Sequence, residues 1–156
     1  MKTFNQLLES ALIEIPEIFP WDLVLLLETD DKPILLDIRE AYEYEYSHIA
    51  NSIWVPRGNL EQACEWNYDV TVPELVESRN KKVIVICRSG TRSILAALTM
   101  KIMGFQDVYS LKTGVRGWND FDQPMVDPNG MVVDPDEADE FLANKVRPEQ
   151  LEPKLR

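Results

Sequence analysis

Cys87 is the residue of this sequence whose neighbours most clearly indicate chemistry. It opens the segment Cys87-Arg88-Ser89-Gly90-Thr91-Arg92, between an apolar run at 83–86 and an amphipathic run at 93–103. The amides of a loop between a strand and a helix can form an anion-binding nest at the positive end of the helix dipole. Two arginines add fixed positive charge, so this thiol should lose its proton more readily than a free cysteine does. We therefore interpret Cys87 as an activated nucleophile.

The spacing within this loop separates two kinds of chemistry. A phosphate-binding loop of the tyrosine-phosphatase type surrounds a tetrahedral dianion with its amides and an arginine. Only four residues separate Cys87 from Arg92, one fewer than that type of loop requires. The tighter ring fits a single extra sulfur atom on the cysteine, which is a persulfide, together with an anionic sulfur donor.

The loop resembles that of the rhodanese family of sulfurtransferases, and two flanking motifs extend the resemblance. The upstream motif comprises Leu35-Leu36-Asp37-Ile38-Arg39-Glu40, Glu43-Tyr44, His48-Ile49 and Ile53-Trp54-Val55-Pro56. The downstream motif comprises Val108-Tyr109-Ser110-Leu111 and Gly114-Val115-Arg116-Gly117-Trp118. Three ordered motifs, spread over about residues 13–122, are far more specific than any one of them alone.

The sequence departs from the family pattern at three turns. Ser47 stands where a glycine is usual, Ala50-Asn51 where Pro-Gly is usual, and Thr113 where the first of two glycines is usual. None of these positions belongs to the Cys87 loop. We therefore expect them to alter local turn geometry without touching the nucleophile or its loop.

The resemblance implies an enzyme of the thiosulfate sulfurtransferase type, with a persulfide on Cys87 as its covalent intermediate. The donor would be a small anion such as thiosulfate, and the acceptor would be cyanide or a thiol. The residues expected to bind this donor are Arg88, Ser89, Gly90, Thr91 and Arg92, and Arg57 is a further candidate from the next loop. No cofactor and no metal ion is implied.

Three residues of the upstream motif are expected to support the site rather than to react. Asp37 and Arg39 read as a structural and electrostatic pair near the end of their strand. His48 is the only histidine and a tempting general base, but its family counterpart is structural. Sulfur transfer between thiols of low pKa needs no dedicated base.

Two other functions stay open at this point. The domain could be a sulfur-relay module whose donor and acceptor are proteins, with thiosulfate only a surrogate substrate. It could instead be a non-catalytic regulatory domain of the same fold, although the intact cysteine and both loop arginines count against this. The other cysteine, Cys64, lies at helical spacing from Leu60 and is interpreted as a core residue, with a resolving-thiol role as the alternative.

Composition excludes several classes of protein. The 156 residues are 45% hydrophobic and 28% charged, which is typical of one globular domain with a full core. A net charge of -11 argues against binding to nucleic acid or to anionic membranes. Two cysteines provide no disulfide framework, and the polar first residues do not form a signal core. We therefore expect a cytoplasmic protein.

Alternating strand and helix patterns predict an α/β rhodanese-like fold, with a mostly parallel sheet and helices on both faces. The predicted strands lie over residues 34–38, 53–55, 83–86 and 108–111. The predicted helices lie over residues 21–28, 59–66, 72–78 and 92–103. Ligands bind at the carboxyl ends of strands in such sheets, and Cys87 follows one of these ends.

Extensions flank the predicted rhodanese-like domain, which we place at residues 15–123. Residues 1–14 form a helical extension, because apolar residues recur at helical spacing over 3–13. In the extension at 124–156, a turn at 127–130 joins two apolar pairs and predicts a small hairpin, followed by a short helix over 136–145. Acidic residues near this turn do not match the spacing of a calcium loop.

Overall fold

A five-stranded sheet, in which every strand is parallel to its neighbours, forms the centre of this computed structural model, which describes residues 1–155. In chain order the strands are β1 (Glu17–Ile18), β2 (Ile34–Asp37), β3 (Ile53–Trp54), β4 (Lys82–Ile86) and β5 (Asp107–Leu111). Across the sheet they lie in the order β1-β5-β4-β2-β3. Because β4 is central, the residue that follows it emerges in the middle of the carboxyl edge.

The connections between the strands are mainly helical. Within residues 1–155 the α-helices are α1 (Phe4–Leu12), α2 (Pro20–Leu27), α3 (Ala41–Tyr46), α4 (Leu60–Ala63), α5 (Pro73–Val76), α6 (Arg92–Ile102), α7 (Gly114–Asp120) and α8 (Pro135–Leu142). Short 3-10 turns lie over Arg57–Asn59, Pro148–Gln150 and Pro153–Leu155. In this described part of the chain, no helix has the length and apolar character needed to cross a membrane.

The sheet separates two hydrophobic clusters, and β4 contributes to both because successive side chains of a strand point to opposite faces. Val83, Val85 and Cys87 belong to the cluster under α4, α5 and α6. Ile84 and Ile86 belong to the other, under α2, α7 and α8. The predicted α/β fold with helices on both faces is confirmed.

The main differences from the predicted elements lie at the edge of the sheet and in the connection before β4. β1 has two residues, too few for a hydrophobic pattern to reveal, and pairs with the end of β5. The helices expected at 59–66 and 72–78 are shorter, because α4 stops at Cys64 and Asn67 then turns the chain with a φ of 74°. α5 begins at Pro73.

The C-terminal segment, residues 124–155, packs on the second cluster. Its turn places a minimal antiparallel bridge between Val126 and Val132, and Val126 also pairs with His48. α8 begins at Pro135, capped by the side chain of Asp134, and ends at Leu142. Met125 and Leu142 are buried against the sheet, so this segment is part of the folded body.

Candidate active site

Cys87 lies directly after β4 and has no exposed surface. The sequence folds this way locally because the apolar run of β4 ends here and Gly90, with a φ of 87°, turns the chain into α6. A side chain at this glycine would collide with the backbone, since its Cβ would lie 2.8 Å from the Thr113 nitrogen. The loop geometry therefore depends on glycine at this position.

The sulfur of Cys87 is surrounded by hydrogen-bonding groups. The backbone amides of Gly90 and Ser93 donate to Sγ at 3.1 Å and 3.4 Å. The thiol donates to the Ser93 hydroxyl at 3.3 Å, and this hydroxyl lies 2.7 Å from that of Ser110 on β5. Both serines are buried. The same amides can stabilise a thiolate or a persulfide, because either anion accepts hydrogen bonds.

The first turn of α7 holds the loop from behind. The amides of Val115 and Arg116 donate to the carbonyl oxygens of Cys87 and Arg88, at 2.9 Å and 3.0 Å. Gly114 permits this approach, because a Cβ there would lie 2.4 Å from the Cys87 carbonyl oxygen. These carbonyl oxygens are hydrogen-bonded to α7 on one side of the loop. The loop amides can therefore point toward the opposite side of the loop.

The expectation that all three departures from the family pattern lie clear of the loop is wrong for one of them. Thr113, which immediately precedes α7, adopts a φ of 67° and its backbone nitrogen borders Gly90 of the loop. A threonine in this left-handed conformation is unusual, because its branched side chain crowds the backbone. The turn therefore retains the shape that glycine would favour, at a cost in strain.

Arg92 is bound to an acidic residue from another element. Its guanidinium donates to both carboxylate oxygens of Glu43 on α3, at 2.8 Å and 2.9 Å. Burial alone would raise the pKa of Glu43, but hydrogen bonds from Arg92 and the Glu40 amide, with the charges of Arg92 and Arg39, outweigh it and lower that pKa. Glu43 in turn raises the pKa of Arg92. At this site Arg92 is therefore one partner of an ion pair and not a free cation.

Arg88 and Ser89 occupy the outer side of the loop. In the described part of the chain the Arg88 side chain forms neither an ion pair nor a hydrogen bond, and it is half-buried, whereas Ser89 is exposed. Thr91 is half-buried at the start of α6. Of the two loop cations, Arg88 is thus the one whose charge is available to an anionic ligand.

Arg57 has its own partners outside the loop. Its guanidinium donates to Glu61 at 2.7 Å and to Thr99 on α6 at 3.1 Å. The side chain is only about one-third exposed and reaches α6 from the 3-10 turn before α4. A role of Arg57 in donor binding therefore requires it to exchange one of these contacts.

Asp37, Arg39 and His48 form the support beneath α3. The Arg39 guanidinium donates to both oxygens of Asp37 and, at 2.7 Å, to the carbonyl oxygen of Ser47, and all three groups are buried. The His48 ring stacks on Tyr44 at 3.8 Å, and its Nδ1 lies 2.9 Å from the Tyr44 carbonyl oxygen. These contacts fix both ends of α3, and with them the position of Glu43.

Cys64 lies in the core at the end of α4 and has no exposed surface. Burial raises the pKa of its thiol to about 11. A thiol that stays protonated and inaccessible is a poor nucleophile, so the structure supports a packing role. Within residues 1–155 there is also no group of three or more His, Cys, Asp or Glu side chains that could hold a metal ion.

A cavity of about 580 Å³ opens beside the Cys87 loop. One wall comes from Arg88 of the loop with Tyr42 and Glu43 of α3. The other comes from the C-terminal segment, through residues 141–146 and Gln150. The cavity thus reaches the loop through Arg88, whereas the buried Cys87 is not part of its lining.

Sequence reasoning missed Ser93, Ser110 and the Glu43–Arg92 pair as parts of this site. Ser93 and Ser110 interrupt otherwise apolar faces, and a polar residue at a core position is the signal that could have identified them. Glu43 was recognised only as part of a motif. Its contact with Arg92 spans 49 positions in sequence and depends on how α3 packs.

A family model described as a rhodanese-like domain matches residues 22–121. The protein YrkF of Bacillus subtilis (strain 168), whose name proposes a sulfur carrier, is 36% identical over 104 residues, covering 67% of this chain and 51% of YrkF. A tRNA uridine(34) hydroxylase of Buchnera aphidicola subsp. Schizaphis graminum (strain Sg) is 30% identical over 95 residues, covering 61% of this chain and 29% of that protein.

The chain therefore spans about half the length of the first relative and less than a third of the second. Among solved structures, it resembles a protein of unknown function from Rhodopseudomonas palustris CGA009 that is described as a possible tyrosine phosphatase. The two share 28% sequence identity with a TM-score of 0.73, over 80% of this chain and 95% of that one.

Proposed function

The chain belongs to the rhodanese family, and from this membership we propose that it is a sulfurtransferase that carries a sulfane sulfur atom as a persulfide on Cys87. The observation that carries the proposal is the convergence of the Gly90 and Ser93 amides on a buried sulfur at the end of the central strand. Hydrogen bonds from amides stabilise an anion on that sulfur throughout the reaction. Both cysteines are free thiols, which suits a reducing compartment such as the cytoplasm.

The proposed reaction has two displacements. The Cys87 thiol releases its proton to solvent, and the thiolate attacks the outer sulfur of thiosulfate. A new sulfur–sulfur bond forms as the bond within thiosulfate breaks, and the electron pair of the broken bond leaves with sulfite. In the second step cyanide or a thiolate attacks the outer sulfur of the persulfide, and the Cys87 thiolate departs.

Ser93 and the loop cations have separate roles in this scheme. Once the thiolate forms, the Ser93 hydroxyl can rotate and donate to Sγ, because Ser110 lies close enough to accept or return its hydrogen bond. Arg88 attracts the anionic donor. Because Cys87 is fully buried, the donor can reach the sulfur only after the groups that cover it move.

The test uses Cys87→Ala, with Cys64→Ala as the matched control. We expect the wild type and Cys64→Ala to form thiocyanate from thiosulfate and cyanide, and Cys87→Ala to form none. Intact-mass spectrometry after thiosulfate alone should show one added sulfur atom in the first two proteins only. If Cys87→Ala keeps most of the turnover, Cys87 is not the nucleophile and the proposal fails.

A second candidate is sulfur relay between proteins, and the similarity to YrkF favours it. The name of that relative proposes a sulfur carrier, and this chain matches about half of its length. A carrier uses the same persulfide but passes its sulfur to a protein thiol. Faster transfer to a partner protein than to cyanide or to small thiols would favour relay over the small-molecule enzyme.

Phosphatase activity is not favoured despite the description of the Rhodopseudomonas palustris neighbour. Four residues separate Cys87 from Arg92, and Arg92 is paired with Glu43. A phosphate dianion would meet a shorter ring whose arginine is already neutralised. We expect no hydrolysis of para-nitrophenyl phosphate by protein that forms the Cys87 persulfide.

A further inference from the structure

Three aromatic side chains, Phe19, Trp21 and Phe121, form an exposed row between the start of α2 and the end of α7. The rings of Phe19 and Trp21 stack with their centroids 4.5 Å apart, and Trp21 meets Phe121 edge-on at 5.8 Å. Leu25, one turn further along α2, is also exposed. Single exposed apolar residues are normal, whereas a contiguous exposed patch marks a binding surface. Trp21 is the centre of this aromatic row because it contacts both other rings.

The aromatic row is a property of this chain more than of the family domain. The family model begins at residue 22, so Phe19 and Trp21 precede it, and Phe121 is the last residue that it matches. None of the residues to which we assign a role in sulfur transfer belongs to the row. What the row binds is therefore a question separate from the persulfide chemistry.

The aromatic row has a basic end and an acidic end. At the basic end, the ammonium group of Lys112 lies 4.9 Å from the centre of the Phe19 ring. At the acidic end, the exposed Asp120 and Asp122 flank Phe121 in sequence. Within residues 1–155, neither Lys112 nor these two aspartates form an ion pair. Each end therefore presents a charge that an opposite charge on a partner can pair with.

Three other charged residues lie near the aromatic row in sequence and leave this polarity in place. Glu17 points to the opposite face of the sheet, because its neighbour Ile18 packs with α2 and α7. Asp22 follows the central ring in α2 and points about 100° away from it around the helix axis. Arg116, one turn before the end of α7, offsets only one of the two carboxylates at the acidic end.

We propose that the aromatic row is a self-association surface whose partner is a second copy of this chain. In a dimer with two-fold symmetry the same patch meets itself in reverse, so that residue i contacts residue j and residue j contacts residue i. With Trp21 near the axis, the basic end of each copy faces the acidic end of the other. Lys112 then pairs twice with Asp120 or Asp122 across the axis, while the aromatic rings bury one another.

Sedimentation velocity of the full chain, from about 1 µM to 1 mM protein, tests the surface. We expect the wild type to dimerise reversibly within this range, as small interfaces do. Trp21→Ser should weaken dimerisation by about tenfold or more, because a central aromatic residue commonly provides much of the binding energy. Trp66→Ser is the matched control and should dimerise as the wild type does. Trp66 is 48% exposed, against 47% for Trp21, and follows α4, which covers the opposite face of the sheet.

Two charge reversals test whether the partner is a second copy. Lys112→Glu and Asp120→Lys should each weaken self-association by about three- to tenfold, because each places like charges opposite one another in both halves of the interface. An equimolar mixture of the two variants should dimerise about as well as the wild type. In the mixed dimer, Glu faces Lys in one half of the interface and Lys112 faces Asp120 in the other. Lysine at position 120 also suits the C-terminal end of α7.

Three results would overturn this inference. The first is a wild type that stays monomeric up to about 1 mM. The second is a Trp21→Ser variant that is folded, as judged by thermal unfolding, and dimerises as strongly as Trp66→Ser. The third is a mixture of Lys112→Glu and Asp120→Lys that associates no better than either variant alone. The charge variants keep the test decisive if Trp21→Ser does not fold, and none of these results depends on sulfur transfer.

Discussion

At the scale of single residues, the loop provides less free charge and more backbone hydrogen bonding than its two arginines suggest. Arg92 forms an ion pair with Glu43, so its charge is largely cancelled. The Gly90 and Ser93 amides contact the sulfur directly. We infer that the amides carry most of the stabilisation of the thiolate, with Arg88 acting on the donor.

Glu43→Gln tests the ion pair. At neutral pH we expect a loss of about 1–2 kcal/mol in the free energy of unfolding, a value reduced because Arg92 is partly exposed to water. In the folded protein the pKa of Glu43 is below its ordinary value of 4.5. The ion pair of Glu43 therefore contributes its full stabilisation at pH values above 4.5. The contribution is lost as the pH falls through the lower folded pKa. Urea unfolding of the wild type and Glu43→Gln should therefore differ at neutral pH and converge in acid.

Glu61→Gln is the control for this prediction. Glu61 also pairs with an arginine. Burial alone would raise the pKa of Glu61, but the hydrogen bond from Arg57, a backbone hydrogen bond and the charge of Arg57 outweigh it and lower that pKa. Its side chain is half exposed, so the cost should be below about 0.5 kcal/mol. A loss in Glu43→Gln that persists unchanged in acid would show that the carboxylate charge is not what stabilises the fold.

What the sequence predicts at this scale depends on whether the contacts are local. Cys87 and the loop residues are contiguous, so their spacing indicates a nucleophile and its nest. Glu43 and Ser110 come from elements far from the loop in sequence, and only the packed fold shows that they reach it. Arg57 is the opposite case. The sequence predicts it as a candidate for binding the donor, whereas in the structure its guanidinium binds Glu61 and Thr99.

At the scale of elements, α7 determines the shape of the loop, and its own first turn is strained. Thr113 holds a φ of 67° before the helix, and its side chain occupies the space beside Gly117. A Cβ at Gly117 would lie 1.6 Å from the Thr113 hydroxyl oxygen and 2.4 Å from its Cβ. The two positions are therefore coupled, and Gly117 is needed because Thr113 is not glycine.

A double-mutant cycle measures this coupling. In the wild-type background, Gly117→Ala should destabilise the protein by about 1–3 kcal/mol, because the new methyl group overlaps Thr113. In the Thr113→Gly background, the same change should be neutral or stabilise by up to about 1 kcal/mol, because alanine favours a helix interior more than glycine does. Urea unfolding of the four proteins gives both values. Equal effects of Gly117→Ala in the two backgrounds would show that the positions are independent.

The strands and long helices were predictable because their patterns span several residues. β4 contains four consecutive apolar residues, and α6 repeats its buried residues at helical spacing, so both patterns are long enough to be recognised. β1 was not predicted, because two residues after a proline carry no period and are held by pairing with β5. Whether so short a strand forms depends on its tertiary contacts, which a local sequence pattern does not show.

At the scale of the whole molecule, the C-terminal segment completes the second hydrophobic cluster. The Trp118 indole donates to the Pro124 carbonyl oxygen at 3.0 Å, and His48 and Val126 exchange two backbone hydrogen bonds. Met125 is only 2% exposed, whereas Met131 across the turn is 66% exposed. The segment therefore packs on the domain and braces it. The few apolar residues of its sequence were not sufficient to predict this packing.

The two methionines provide a matched test of this brace. Met125→Ala should lower the free energy of unfolding by about 2–4 kcal/mol, because it leaves a cavity in the cluster. Met131→Ala should change it by less than about 0.5 kcal/mol, as is usual at exposed positions. Thermal or urea unfolding measures both. Equal, small effects would mean that the segment contributes little to the stability of the domain.

The strand order has a further consequence, for synthesis and folding. Each strand pair in this sheet is parallel, so each needs a long crossover and none can form as a local hairpin. β1 pairs only with β5, and His48 pairs with Val126. These two pairings therefore cannot form until the later partner of each has been synthesised. A chain emerging from the ribosome therefore exposes its apolar strands until α7 and the C-terminal segment have been made. Folding dominated by such distant contacts is slow, because closing each long loop costs entropy before the contact can form.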